Sequence, residues 1–314
     1  MAFSGGTGTV TDPYQVATAA DLALINSYLD KAFIQIADID LSDYGNWPGI
    51  GIFEPDAEFK GVYDGNGFAI SGMVATATST QIGGLFGFVV GATIKNTRLR
   101  APEGIFEVYG SVNGLFVSEA YSSTFENCRV TGGQITQDKA GTSGAFAGIA
   151  WDCSITNCHA TATISIAKFV NMYYPYMGGF VAYAGGEESL CVFDHCSANV
   201  VMSNISSFGL RGGGFAGQLE GSFLVQKCWS LGSMTSTEAI VSAAGFIGSI
   251  INDPYEATGA GLIKDCYTQT NITQESGSDL ASTAAFIGKI DSDTGYSYKI
   301  DNCYAANRIT INVE

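Results

Sequence analysis

Arginine and aromatic residues recur at one position of this sequence, directly after a threonine or a cysteine. An arginine pairs well with acidic groups, and aromatic rings pack against apolar surfaces such as the faces of sugar rings. This set therefore has the chemistry of a glycan-binding face, although surface arginines and stacked aromatic residues also cover sheets that bind nothing. The residues at this position are Arg98, Arg129, His159, Ser197, Trp229, Tyr267 and Tyr304, and Arg100 extends the cationic part.

A second group of aromatic residues lies in an insertion at residues 171–177. It contains Tyr173, Tyr174 and Tyr176 together with two methionines. Insertions on a rigid scaffold often carry recognition. Because such side chains are costly to leave in water, we expect them either to pack on a neighbouring part of the fold or to form a contact surface for a ligand or partner.

Paired carboxylates are the third candidate. Glu126 and Asp194 occupy the same position in two repeats that lie two apart. Strands separated by two steps are about 9.6 Å apart, which is compatible with the carboxyl spacing of an inverting glycosidase. His195 or His159 could assist. The alternative function is therefore a polysaccharide depolymerase, a glycosidase or a lyase, but acidic residues are common in this chain and such coincidences are frequent.

A sequence repeat must position all of these residues. Seven copies of a small-residue and phenylalanine cluster occur between Phe86 and Cys303, and each is followed by an apolar residue, two polar residues and a small residue. The phenylalanines are Phe86, Phe116, Phe146, Phe180, Phe215, Phe246 and Phe286, and the small residues are Thr97, Cys128, Cys158, Cys196, Cys228, Cys266 and Cys303. We call the second set the cysteine column.

Each repeat has the alternation of a β-strand. Residues two, four and six after the cysteine column are small or apolar, as at Ala160, Ala162 and Ile164, so they share the inner face with it. The residue three before the column is also apolar, and this odd offset requires a corner. Asparagine precedes the column in four of the seven repeats, and asparagine tolerates the left-handed backbone of a sharp bend.

The spacing predicts an all-β parallel solenoid with coils of about 30 residues. From the cysteine column to the next phenylalanine there are 18 to 22 residues, whereas the other side of the coil varies from 11 to 20. Insertions are therefore expected at particular corners. We read residues 1–80 as an N-terminal cap with the first coils, and residues 81–314 as the repeats of the same elongated domain.

The two ends of the solenoid differ in sequence. Thr18 and Asp21 form a capping box, which predicts a short helix over residues 19–29 covering the first coil. The last repeat is followed by no comparable element. Exposed solenoid ends need a cover, so we expect either that the chain is a fragment or that another chain, including a second copy, covers the C-terminal coil.

Composition excludes several classes of function. Thirty acidic and 14 basic residues give a formal net charge of −16, which disfavours nucleic acid and anionic membranes as partners. No apolar run reaches the length of a transmembrane helix, and the first residues lack the pattern of a signal peptide. No complete metal-binding, phosphate-binding or hydrolase motif occurs, so we predict neither a metal nor a cofactor.

The eight cysteines are expected to be free and buried. Six of them lie in the cysteine column, where stacked strands are about 4.8 Å apart. Parallel side chains at that spacing fit poorly to the Cβ separation of about 3.8 Å in a disulfide. We therefore interpret the cysteines as small apolar packing residues.

The repeat resembles that of the GLUG-motif proteins, which include bacterial adhesins and the non-catalytic part of immunoglobulin A1 proteases. The segments that match the two halves of the motif are Gly83-Gly84-Leu85-Phe86-Gly87 and Ile300-Asp301-Asn302-Cys303-Tyr304-Ala305. The resemblance covers nearly the whole chain and implies a right-handed parallel β-helix. Similar lead-ins occur in phage tail proteins. We therefore expect a non-enzymatic recognition protein at a virion or cell surface, either a phage tail receptor-binding component or an adhesin segment, that binds cell-surface glycan.

Overall fold

The structure is a computed structural model that describes most of the chain. The described residues are 3–75, 83–100, 105–108, 112–137, 141–166, 176–204, 210–237, 240–251, 259–275, 282–291 and 296–311. Strands dominate these residues, and one short α-helix lies near the N-terminus. The prediction of an all-β solenoid is confirmed.

The N-terminal segment forms five short strands and one helix. They are β1 (Tyr14–Val16), α1 (Ala19–Leu24), β2 (Ala32–Gln35), β3 (Ile39–Asp40), β4 (Val62–Asp64) and β5 (Ala69–Ser71), and α1 continues into a 3-10 turn at Ile25–Ser27.

The helix begins at the predicted capping box. The Thr18 side chain accepts a hydrogen bond from the Asp21 backbone N–H at 3.1 Å, and the Asp21 carboxylate accepts one from the Thr18 N–H at 3.1 Å. The helix is shorter than the predicted range 19–29, because helical structure ends at Ser27. Leu22 is fully buried in the core, as expected for an element that covers the first coil.

The remaining strands follow one another at short intervals. In chain order they are β6 (Phe86–Val90), β7 (Thr93–Lys95), β8 (Arg98–Arg100), β9 (Ile105–Val108), β10 (Val112–Gly114), β11 (Val117–Tyr121), β12 (Thr124–Glu126), β13 (Arg129–Gln137), β14 (Thr142–Gly144), β15 (Ala147–Trp151), β16 (Ser154–Thr156), β17 (His159–Ile166), β18 (Tyr176–Gly178), β19 (Val181–Asp194), β20 (Ser197–Asn204), β21 (Leu210–Gly213), β22 (Ala216–Gln226), β23 (Trp229–Ser236), β24 (Ile240–Ala244), β25 (Ile247–Ile251), β26 (Gly259–Lys264), β27 (Tyr267–Gln274), β28 (Thr283–Ala284), β29 (Ile287–Ile290), β30 (Tyr296–Asp301), β31 (Tyr304–Ala305) and β32 (Ile309–Ile311).

The strands form three parallel sheets of 15, 6 and 11 strands. The coil that contains β14 to β17 shows the arrangement. The strand before the phenylalanine, β14, belongs to the 6-stranded sheet, and the next two, β15 and β16, belong to the 15-stranded sheet. The strand after the cysteine column, β17, belongs to the 11-stranded sheet. Each strand of a coil pairs with its counterpart in the next coil, so equivalent residues form columns.

In every repeat the residue directly before the cysteine column forms the corner and has a left-handed backbone conformation. The prediction from the asparagines is confirmed, and three residues of other types adopt the same conformation. The φ angles are 51° at Asn96, 56° at Asn127, 53° at Asn157, 54° at His195, 52° at Lys227, 54° at Asp265 and 51° at Asn302. The corner lets the apolar residue three before the column point inward with the column itself.

The repeated phenylalanines form a continuous stack inside the coils. From Phe116 to Phe286 successive ring centroids lie 4.7, 4.7, 5.1, 5.0 and 4.9 Å apart, and the rings are nearly parallel. Phe86 joins the stack at 5.7 Å, and Phe59 and Phe33 extend it toward the N-terminus. Offset stacked aromatic pairs add stability beyond the burial of their area.

All eight cysteines are free, as the spacing predicted. Seven are buried as predicted, but the prediction is wrong for Cys303, which is only partly buried because the strands of its coil pair with the preceding coil alone in the described residues. Within the column, backbone N–H groups donate to the sulfur of the next coil, for example from Cys128 to Cys158 Sγ at 3.4 Å and from Cys196 to Cys228 Sγ at 3.3 Å. The thiols therefore act as small side chains of the core.

Candidate functional site

The predicted arginine and aromatic residues form one column on the outside of the 11-stranded sheet. The strand register pairs Arg98 with Arg129 and then, coil by coil, His159, Ser197, Trp229, Tyr267 and Tyr304. We call these seven residues the outer column. Two features bring these residues together: side chains alternate between the two faces of each strand, and the strands of successive coils pair in register.

Three arginines line a groove at the N-terminal end of the outer column. Arg98 and Arg129 are neighbours in register, and Arg100 lies two residues further along the strand on the same side. All three side chains are exposed, and the groove has a volume of about 810 Å³. Among the described residues none of the three forms an ion pair within 4 Å, whereas seven other pairs do. We call this feature the arginine groove.

The corner asparagines form the other wall of the groove through a directed chain of hydrogen bonds. Asn96 Nδ2 donates to Asp64 Oδ1 at 3.0 Å, Asn127 Nδ2 donates to Asn96 Oδ1 at 3.2 Å, and Asn157 Nδ2 donates to Asn127 Oδ1 at 2.7 Å. Because the Asp64 carboxylate can only accept, it fixes the orientation of every amide along the chain. We call these four residues the corner chain.

The corner chain ends on a histidine. His159 Nε2 lies 3.1 Å from Asn157 Oδ1, and His159 Nδ1 lies 2.7 Å from Ser197 Oγ. Burial lowers the pKa of His159 below its ordinary value, and the charge of Arg129 lowers it further. The imidazole is therefore neutral at pH 7, with its proton on Nε2 and its lone pair on Nδ1 facing the serine hydroxyl.

Ser197 differs from the sequence expectation. Side chains alternate along a strand, so the residue directly after the inward-facing cysteine column is predicted to face water, but only 3% of Ser197 is exposed. The larger His159 and Trp229 side chains lie on either side of it in the neighbouring coils. The residue points outward yet forms the floor of a pocket of about 290 Å³, which His159, Trp229, Arg129 and Asn199 also line.

The aromatic residues of the outer column stack on one another. The Trp229 and Tyr267 rings lie 6.0 Å apart at 15°, and the Tyr267 and Tyr304 rings lie 5.3 Å apart at 8°. The ring faces that meet within the stack are therefore covered by the neighbouring rings, and mainly the ring edges point to solvent. The free faces are at the two ends: Trp229 borders the pocket above Ser197, and Tyr304 is 60% exposed.

The two carboxylates occupy the predicted column. Glu126 and Asp194 are both in register with Thr156, which lies between them. Asp194 Oδ1 is 2.7 Å from His195 Nδ1, and Glu126 is exposed. Neither carboxylate lines the arginine groove or the pocket above Ser197. The structure thus places this pair outside the linings of these two cavities.

Of the predicted tyrosine cluster, only Tyr176 belongs to the described residues, and Tyr173 and Tyr174 lie outside them. Tyr176 stacks on Tyr183 at 5.7 Å, and its hydroxyl accepts a hydrogen bond from Arg211 at 2.7 Å. Tyr176 is thus packed between Tyr183 of its own coil and Arg211 of the next coil.

Sequence reasoning missed the partners of the outer column. The sequence identifies Asn157 as a corner residue but not as the partner of His159, and it gives no signal for Asn199. The recurrence of asparagine two residues before the outer column was the available signal.

No helix in the described part of the chain is long and apolar enough to span a membrane. Nor do three or more potential metal ligands come together among the residues that the structure describes.

The fold and its repeating corners define a parallel β-helix, and comparisons with known proteins agree. The family model for the GLUG motif matches residues 140–165, which confirms the resemblance to GLUG-repeat proteins. Halomucin from Haloquadratum walsbyi is 32% identical over 168 residues, and a protein from Evansella cellulosilytica named as a Gly-rich membrane protein is 38% identical over 93 residues. The matches cover 51% and 28% of this chain but only 2% and 11% of those proteins.

Two solved structures share the fold. A Bacteroides ovatus protein assigned as an immunoglobulin A1 protease has a TM-score of 0.60 at 20% identity, and the match covers 99% of this chain and 87% of that one. A structure named IgA1 protease has a TM-score of 0.67 at 19% identity and covers 93% of this chain, which corresponds to 21% of the larger protein. Similarity at this level of identity concerns the architecture alone.

Proposed function

We propose that this chain is a recognition module of a surface or secreted protein and that its arginine groove binds acidic glycans. The observation that carries the proposal is the cluster of Arg98, Arg100 and Arg129, three of only five arginines, without ion-pair partners among the described residues in a chain of charge −16. A groove that keeps its cations unpaired is suited to ligands that bring their own carboxylate or sulfate groups.

The direction of the groove supports a polymeric ligand. The arginine groove and the pocket above Ser197 share Arg129 and His159, so together they extend over successive coils. Each coil advances by about 4.8 Å, comparable with the length of one sugar in an extended chain. An acidic glycan lying along the coils would place charged groups at the arginines and one ring against the free face of Trp229.

The relatives support a surface setting. One is a halophile protein named Halomucin and another is named a membrane protein, and the GLUG motif and the β-helix neighbours are compatible with a surface or secreted protein. An adhesin-like role fits these names more directly than the phage tail role that the sequence also suggested, and we propose the former.

Binding of defined polymers tests the proposal. We expect dextran sulfate and polygalacturonate to bind, uncharged dextran not to bind, and affinity to fall as salt rises. The double variant Arg98→Gln with Arg129→Gln should lose more than about tenfold in affinity, because each hydrogen bond between charged partners contributes about 1.5–3 kcal/mol. Isothermal titration calorimetry on purified protein gives the affinities.

A matched variant controls for the change in net charge. The double variant Lys289→Gln with Arg308→Gln also removes two positive charges, but it removes them from the last coil. This variant should bind like the parent protein. Equal losses in the two double variants would show that net charge alone drives binding, and failure of the parent protein to bind either polyanion would refute the proposal.

The depolymerase alternative is decided in the same samples. An assay for new reducing ends detects cleavage of the bound polymers, and Glu126→Gln with Asp194→Asn would remove it if these carboxylates were the catalytic pair. We expect binding without new reducing ends. Cleavage that this variant abolishes would favour the depolymerase over pure recognition.

A further inference from the structure

A serine, a histidine and an asparagine are linked by hydrogen bonds where the arginine groove meets the pocket above Ser197. Ser197 Oγ lies 2.7 Å from His159 Nδ1, and His159 Nε2 lies 3.1 Å from Asn157 Oδ1. The corner chain sets the direction of these bonds, because Asn157 uses its Nδ2 for Asn127 and presents its oxygen to the histidine. That oxygen holds the Nε2–H tautomer, so the Ser197 hydroxyl donates its proton toward Nδ1.

We propose that Ser197, His159 and Asn157 form an acyl-transfer site that hydrolyses ester groups carried by the glycan in the arginine groove. The proposal rests on the proposed function for the identity of the ester's carrier. Linked serine, histidine and amide or carboxylate side chains recur on unrelated folds and are recognised by geometry and role, not by sequence position.

The chemical step uses only groups in the site and water. Ser197 Oγ attacks the ester carbonyl carbon while its proton passes to His159 Nδ1. The tetrahedral intermediate then collapses, the bond to the sugar oxygen breaks, and that oxygen takes the proton from Nδ1. A water molecule attacks the acyl-serine in the same way, which releases the carboxylic acid and restores the serine hydroxyl. No oxidation or reduction occurs.

The pocket supplies the other requirements of acyl transfer. Its volume of about 290 Å³ accommodates a small acyl group beside the Trp229 ring. The Ser197 backbone N–H is already bonded to the Cys158 carbonyl at 3.0 Å, so side chains must stabilise the oxyanion. Asn199, two residues along the same side of the strand, and Arg129 both line the pocket and carry suitable N–H donors.

The same features predict slow turnover. Asn157 is neutral and stabilises an imidazolium less than a carboxylate would, and the nearby Arg129 charge opposes protonation of His159. We therefore expect an activity well below that of a serine hydrolase with an aspartate in the third position, and a covalent probe is a more sensitive readout than turnover.

Labelling with a fluorophosphonate tests the nucleophile directly. The probe loses fluoride when the serine oxygen attacks phosphorus, and peptide mass spectrometry locates the adduct. We expect labelling at Ser197, loss of labelling in Ser197→Ala and His159→Gln, and p-nitrophenyl acetate hydrolysis that falls at least tenfold in both variants. Ser203→Ala is the matched control, because Ser203 lies on the same strand and bonds to Ser165 Oγ at 3.0 Å without a histidine.

A second variant tests the positioning role of Asn157. Asn157→Asp keeps a residue type that tolerates the left-handed corner and places a carboxylate against Nε2. If Asn157 positions the base, labelling and hydrolysis should become several-fold faster in Asn157→Asp at unchanged pH, whereas a purely structural asparagine would give a slower or unchanged rate. Thermal melting of each variant establishes that it is folded.

The outcomes separate this proposal from the proposed function. Polyanion binding without labelling or ester hydrolysis would overturn the acyl-transfer site and leave the recognition function intact. Labelling of Ser197 in a protein that binds no polyanion would support the acyl-transfer chemistry and overturn the acidic glycan as its carrier. Release of acetate from an O-acetylated acidic polysaccharide, lost in Ser197→Ala, would support both.

Discussion

Burial controls the chemistry of individual residues in this molecule, and three of the buried thiols show it most clearly. Desolvation raises the pKa of Cys153 to about 12 and also raises the pKa of Cys191 and Cys228. A raised pKa keeps these groups as thiols at pH 8, and the thiolate is the reactive form. Cys303, which lies in the last coil, is the only cysteine with appreciable exposure.

We therefore predict one fast thiol in the folded protein. Titration with a chromogenic disulfide reagent at pH 8 should show one equivalent that reacts quickly, which Cys303→Ala removes, and seven that react only as the protein unfolds. All eight should react in denaturant without a reductant. Fewer than eight equivalents under those conditions would reveal a disulfide and contradict the assignment of free thiols.

The candidate site marks the limit of prediction from single residues. Alternation along one strand correctly assigned Arg98, Arg129 and Trp229 to the outside. The burial of Ser197 was not predictable, because it results from His159 and Trp229, which lie more than 30 positions away along the chain and are adjacent only through the strand register. Polar contacts of this type depend on which side chains meet across coils, and composition does not encode that.

At the scale of elements, the left-handed corners decide whether a coil closes. Each corner must reverse the side-chain alternation, which it does through a left-handed backbone conformation. This conformation costs about 1–2 kcal/mol for a residue other than glycine, unless the residue type tolerates it. The asparagines predicted most of the corners. His195 and Lys227 show that the surrounding sheets impose the conformation even where the residue type does not favour it.

We predict a specific order of stability for substitutions at one corner. Asn127→Ala should lower stability by about 1–3 kcal/mol, because it loses the tolerated left-handed backbone and two hydrogen bonds of the corner chain. Asn127→Gly should lose less, because glycine relieves the backbone cost. Thr124→Ala, an exposed strand position in the same coil, should change stability little. Urea unfolding monitored by tryptophan fluorescence ranks the three variants, and equal losses for alanine and glycine would show that the hydrogen bonds dominate.

At the scale of the whole molecule, stability is built from contacts between neighbouring coils. Solenoid stability is approximately a sum of repeat and interface contributions, so a coil with one neighbour should be held less firmly than a coil with two. In the described residues β28 to β32 each pair with the preceding coil only. Their apolar side chains are correspondingly exposed, with Ile300 at 46% and Ile311 at 39%.

Hydrogen exchange should reveal this gradient. We expect the amides of β17, β20 and β23 to exchange slowest, and those of β30 and β32 to exchange fastest, because few contacts oppose their local opening. At the other end, α1 and its buried Leu22 should keep β1 and β2 more protected than the last coil. Uniform protection from the first coil to the last would contradict a stability built from neighbouring coils.

The same measurement at rising protein concentration tests whether a second copy covers the last coil. Pairing of its free strand edges and burial of Ile300 would slow exchange in β30 and β32 while leaving β17 unchanged. Ile300→Lys should abolish that protection, because the interface would bury an unpaired charge. Val10→Lys, at a position 77% exposed near the N-terminus, should leave it intact. Exchange in the last coil that is independent of concentration would contradict self-association through this end.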